Sequence, residues 1–147
     1  MSIAFTSTYT GISNRLINEV AILSEQARIC NVEAQWDTGA MGTCISKTVV
    51  ERLSLAPISR VNVYTPSGER TLDAYVIDVR LPNNLLIKNV RAVGGEIAGQ
   101  GIDILIGMDI IGLGDFAVTN YNGQTVFSFR FPSSGCIDFV KDEYGRI

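Results

Sequence analysis

One short stretch of this sequence sets an acid, a hydroxyl and a glycine in an order that chemistry can use. Ala34-Gln35-Trp36-Asp37-Thr38-Gly39-Ala40 places a carboxylate at the end of an expected strand, followed at once by Thr38 and Gly39. A glycine two places after an acid permits a tight turn and close backbone approach. Backbone N–H groups can then point at the carboxylate, and the Thr38 hydroxyl can lock the loop, so Asp37 is held rather than left on a loose tip. A carboxylate held in that way suits general acid–base work. As an isolated tripeptide, Asp-Thr-Gly is equally an ordinary turn. The chain has no histidine, which removes the usual base from Ser-His-Asp and Cys-His catalysis. It also leaves only carboxylates and thiolates as metal ligands. Any hydrolysis must therefore run on carboxylates, lysine or an unusual nucleophile, and we expect no metal and no cofactor.

The elements that must position this loop read as mostly β. Leu16–Leu23 is an apolar run of strand length, and Tyr75, Ile77, Val79 and Leu81 alternate with Val76, Asp78 and Arg80 in the period-2 pattern of a half-buried strand. Asn122-Gly123, between Phe116–Tyr121 and Gln124–Phe131, predicts a two-residue hairpin, with Phe127, Phe129 and Phe131 on one face. Those phenylalanines would either build a dimer sheet or cover the core. Pro82-Asn83-Asn84 is a further turn. Helix is sparse: Ser46 can cap a short helix through Leu53, and Asp109–Leu113 can form a brief turn stopped by Gly112 and Gly114. Ahead of that turn, Ile104-Leu105-Ile106 reads as a buried strand ending in Gly107, where another backbone can come close. No repeat, charge block or linker interrupts the chain. We expect one domain over residues 1–147, closed or strongly curved, with a core of about 16–131 and a C-terminal extension of 132–147.

Taken together, Asp37-Thr38-Gly39-Ala40 and the later Leu105-Ile106-Gly107 make the sequence resemble the retropepsin-like aspartic proteases, as a single-domain bacterial or cellular member. The resemblance covers roughly residues 16–131. It implies a closed β-barrel with one or two short helices, Asp37 as the catalytic acid, Thr38, Gly39 and Ala40 as its loop, and Ile106 and Gly107 as a structural second motif. Thr65, Pro66, Ser67 and Gly68 fall where the family carries a substrate-binding flap. The family builds its site across a two-fold axis. With one Asp-Thr-Gly and no Asp-Ser-Gly in the chain, an active enzyme would be a homodimer that contributes Asp37 twice. Its substrate would be an extended polypeptide. The alternative is a retropepsin-fold dimer with little or no turnover that binds peptides. Met41-Gly42 and Met108 depart from the retroviral pattern, which has acids and an arginine there, so the ion cluster that stabilises those dimers is missing.

Composition bounds the rest. The net charge of −3 and a pI near 4.9 argue against nucleic acid or a basic membrane surface as partner. No run reaches the ~18 apolar residues of a membrane span, and the first residues lack the pattern of a signal peptide. Cys30, Cys44 and Cys136 are odd in number and lack C-x-x-C spacing, which points to reduced thiols in the cytoplasm. Trp36 is read as a packing residue, Cys44 as a small buried hydrophobe, Asp103 as a surface or capping acid, and Asp109 as the cap of its own short helix.

Overall fold

The computed structural model describes residues 1–141, so residues 142–147 of the expected C-terminal extension lie outside the described residues. In chain order the elements are β1 (Ile3–Thr8), β2 (Ile17–Leu23), β3 (Ile29–Trp36), β4 (Cys44–Ser46), α1 (Lys47–Arg52), β5 (Ser59–Thr65), β6 (Gly68–Leu81), β7 (Leu85–Gly95), β8 (Ile104–Ile106), α2 (Met108–Ile111), β9 (Asp115–Thr119) and β10 (Val126–Phe131). Strands β2, β3, β8, β4, β7 and β6 pair in that order, and β2 pairs back onto β6. The fold is thus mostly β, a closed barrel of six strands with two short α-helices. Closure leaves no open edge in the barrel itself. Among the described residues β5 pairs only with β6, and the two form a hairpin.

Alternation drives the barrel. Along β3, Cys30, Val32, Ala34 and Trp36 are buried while Asn31 and Glu33 face solvent. Along β6, the expected face of Tyr75, Ile77, Val79 and Leu81 is buried. β7 keeps the pattern only in pieces, because its register against β6 slips between the Ile77–Val90 and Val79–Ile87 pairs. Asn89 takes up the extra residue in a left-handed conformation (φ 58°), and its N–H donates to Asp78 Oδ1 at 2.9 Å.

A second sheet, in the order β1–β10–β9, is antiparallel throughout. Its inner face carries Phe5, Phe116, Phe127 and Phe129 onto Trp36, with ring centroids 5.1 Å apart for Trp36 and Phe129 and 5.8 Å for Trp36 and Phe116. Phe127 and Phe129 are fully buried, so within the chain they cover the core. β1 lies ahead of the segment expected to form that core and adds Phe5 to it.

The hairpin expected at Asn122-Gly123 is corrected. The last β9–β10 pair is Thr119 with Val126, which leaves Asn120–Thr125 as a longer connection. Asn122 and Gly123 do take left-handed φ values of 55° and 72°. Thr125, however, is drawn out of the ladder by the N-terminal segment. Its carbonyl accepts from Tyr9 N–H, its N–H donates to the Gly11 carbonyl, and its hydroxyl accepts from Ser13 N–H and donates to Asn120. Tertiary bonds override the local turn preference. The helix after Ser46 forms as expected, with Ser46 Oγ accepting from Val49 N–H at 3.2 Å.

Candidate active site

Asp37 follows the last residue of β3, which runs parallel to β8 with Trp36 opposite Ile106. The Asp37 N–H donates to the Ile106 carbonyl at 2.9 Å, continuing that ladder by one bond. The chain then turns tightly: Gly39 N–H donates to Asp37 Oδ1 at 2.8 Å and Ala40 N–H to the Asp37 carbonyl at 3.2 Å. Thr38 is exposed, and its hydroxyl makes no hydrogen bond among the described residues. What holds the loop is backbone bonding and α2 instead. Met108 N–H donates to the Ala40 carbonyl at 2.8 Å and Asp109 N–H to the Met41 carbonyl at 3.1 Å.

Gly107 permits that docking. A Cβ there would stand 2.5 Å from the Gly42 carbonyl oxygen and 2.9 Å from that of Ala40, so no other residue fits without moving the loop. The fold therefore brings together two of the three predicted groups, Asp37–Ala40 and Ile106-Gly107. The third, Thr65–Gly68, forms the tip of the β5–β6 hairpin, where Thr65 pairs with Gly68 and its hydroxyl donates to the Gly68 carbonyl at 2.8 Å. Gly68 has φ 119°, a conformation that favours glycine. No hydrogen bond joins this tip to the acid loop among the described residues.

Two residues hold the loop that sequence reasoning did not assign to it. Thr43 is buried, and its hydroxyl and N–H donate to the two carboxylate oxygens of Asp109 at 2.8 and 3.1 Å. Asp109 was expected to cap α2. Gly107 is the N-cap instead, and Asp109 lies in the first turn, where its Oδ1 accepts from the Ile110 N–H at 3.0 Å and its carboxylate also reaches across to Thr43. The helix starts one residue earlier than expected, at Met108. Of the remaining candidates, Asp103 accepts from Ser46 Oγ at 2.8 Å and so braces the start of α1. Burial pushes the Cys44 thiol up to about 11, which keeps it protonated and unsuited to nucleophilic attack. Its sulfur fills the space above Gly95, where a Cβ would stand 2.6 Å from it. Trp36 donates its Nε1–H to Asn18 Oδ1 at 2.7 Å and otherwise packs on the aromatic sheet.

One cavity among the described residues, of about 590 Å³, lies away from the acid loop. It lies between the outer face of the second sheet, at Ala117, Ser128 and Arg130, and the segment carrying Cys136, Ile137 and Phe139. No helix is long and apolar enough to cross a membrane among the described residues.

A family model described as aspartyl protease matches residues 25–110, a span that contains both the acid loop and Ile106-Gly107. Among solved structures, the chain is similar to a retropepsin-like aspartic protease from Rickettsia conorii, at 13% identity and a TM-score of 0.56 over 89% of this chain and 96% of that one. It is also similar to the EIAV protease complexed with the inhibitor HBY-793, at 16% identity and a TM-score of 0.52 over 71% and 91%. At such identities the likeness concerns the fold, which is retropepsin-like. No curated protein sequence matches the chain.

Proposed function

Because the chain belongs to the aspartyl protease family, we propose that it is an aspartic endopeptidase that acts as a homodimer, with Asp37 of each protomer activating one shared water. The observation that carries this is the acid loop itself: one Asp-Thr-Gly, half-exposed, clamped onto Ile106-Gly107, with no second carboxylate bonded to Asp37 among the described residues. A lone carboxylate is half of a dyad.

In the dimer, two Asp37 carboxylates sharing a site hold one proton between them. The ionised one takes a proton from the water, and the protonated one donates to the scissile carbonyl oxygen. Attack gives a gem-diol, and the dyad then returns a proton to the leaving amine. This assignment needs neither histidine nor metal. General acid–base catalysis of this kind is worth about 10²–10⁴ in rate, and positioning of the substrate must supply the rest. The β5–β6 hairpin is the part suited to that task. Its tip, Thr65-Pro66-Ser67-Gly68, would act as a flap, and an extended peptide can pair with strand backbone while pockets read its side chains.

Sedimentation equilibrium beside a peptide-library cleavage assay from pH 4 to 7.5 tests the reading. The expected result is a dimer whose cleavage falls by at least about 10² in Asp37→Asn. Asparagine can still accept the Gly39 N–H, so the variant should keep its fold and its dimer. A strict monomer, or cleavage that survives the substitution, overturns the two-aspartate mechanism. A dimer that cleaves nothing yet binds peptides equally well with or without the acid would be a binding module.

A further inference from the structure

Past Ala40 the acid loop is open to solvent through Gly42, then dips inward at Thr43, which is only 1% exposed. Four groups converge on that residue. Its hydroxyl donates to Asp109 Oδ1 at 2.8 Å and accepts from the Gly107 N–H at 3.4 Å. Its own N–H donates to Asp109 Oδ2 at 3.1 Å, and its carbonyl accepts from Val93 N–H at 3.0 Å. The single carboxylate of Asp109 thus grips one loop residue with both oxygens, while its backbone N–H holds the Met41 carbonyl. Hydrogen bonds to an ionised acceptor are roughly twice as strong as neutral ones.

We propose that Thr43 and Asp109 form a clamp that fixes the acid loop for reaction, which makes both of them positioning residues for Asp37. This rests on the two-aspartate reading above. Neither side chain touches the reacting atoms. Their effect runs through the loop, whose near end is set by the Asp37–Ile106 bond and whose far end is set here. Between those ends only the turn bonds of Gly39 and Ala40 to Asp37 and the backbone bonds from α2 to Ala40 and Met41 remain. Losing the clamp should therefore loosen the geometry rather than unfold the chain. A misplacement of about 1 Å in a catalytic group can cost on the order of 10² in rate.

Three variants of the full chain decide the matter: Thr43→Val, which keeps the shape and removes the hydroxyl, Thr43→Ser, which restores it, and Asp109→Asn, whose single oxygen cannot accept from both the Thr43 N–H and the Ile110 N–H. On a peptide the wild type cleaves, kcat should fall by about 10–100-fold in Thr43→Val with KM within about twofold. The serine variant should recover most of that loss, and Asp109→Asn should fall between them. The dimer should persist, and amide exchange at Thr43 and Gly107 should quicken in both Thr43→Val and Asp109→Asn. Wild-type kcat in Thr43→Val and Asp109→Asn, or a loss of stability with kcat per folded molecule unchanged, overturns the proposal. Should the wild type cleave no peptide, the two-aspartate reading fails on its own account, and amide exchange still decides the clamp. Unchanged protection of Thr43 and Gly107 in the valine variant would then sink it.

Discussion

An ionised carboxylate offers about four acceptor positions, and Asp37 uses one of them inside its own chain, for the Gly39 N–H. The rest take no hydrogen bond among the described residues, which is the economy expected of a group whose work lies beyond its own loop. Ala40 bears on how that work depends on pH. A hydroxyl at this position could donate to the ionised dyad and favour its charged form, and alanine cannot. In Ala40→Ser the acidic limb of the pH–rate profile should move to lower pH, and a limb that stays put or moves up rejects the idea. A different acid sets the lower boundary for the C-terminal segment. The Ser133 hydroxyl, the Ser134 N–H and the Arg130 guanidinium all donate to Asp115 and hold its carboxyl well below the usual carboxylate range. A depressed acid contributes stability above its unfolded value of about 4 and loses it only as the pH falls through the lower folded value. The tie should therefore hold at pH 4 as it does at pH 7. Hydrogen exchange at the Ser134 amide, corrected for the intrinsic rate, should show equal protection at both, and Asp115→Ala, which removes the acceptor, should abolish it.

At the level of elements, what was legible followed from local chemistry. Ser46 announces α1 because a serine ahead of Lys47-Thr48-Val49-Val50 can cap it, and the bond to Val49 N–H is there. Ser46→Ala removes that cap and leaves Asp103 without its 2.8 Å donor, so it should lower stability by about 1–2 kcal/mol in denaturant unfolding with the slope unchanged. β6 was legible because its alternation is unbroken. β7 was not, since the bulge at Asn89 shifts Val90 and Ala92 out of phase with Leu85 and Ile87 and erases the period that a reader would count. β4, three residues long, carries no period at all. The site divides in the same way. Asp37-Thr38-Gly39 and Ile106-Gly107 are each contiguous and carry their own chemistry, whereas Thr43 and Asp109 stand 66 positions apart and have meaning only once the fold joins them. Asp109 looked like a cap because a cap is the nearest use for an acid beside a helix start.

Considered as a whole, the molecule presents two exposed methionines beside its acid loop, Met41 at 87% and Met108 at 43%. In the proposed homodimer these sit where an ionic contact is missing, so the subunits should meet there through apolar surface. Burying a methionine side chain is worth about 1.5–3 kcal/mol. Met41→Glu or Met108→Glu should accordingly weaken the dimer by about tenfold or more in sedimentation equilibrium while leaving the monomer's thermal transition in place, and raised salt should not weaken the wild-type dimer. A dimer indifferent to both substitutions would put the interface elsewhere. The second sheet has a part in this too, since it seats its phenylalanines on the residue that leads directly into Asp37. That residue, Trp36, is the only tryptophan in the chain, its indole N–H fixed on Asn18 and its ring stacked on Phe116. Its emission therefore belongs to a single known place, the seam where barrel, aromatic sheet and acid loop meet. Undocking of the sheet or the arrival of a second protomer at the loop would register there as a change of colour or intensity, with no label added.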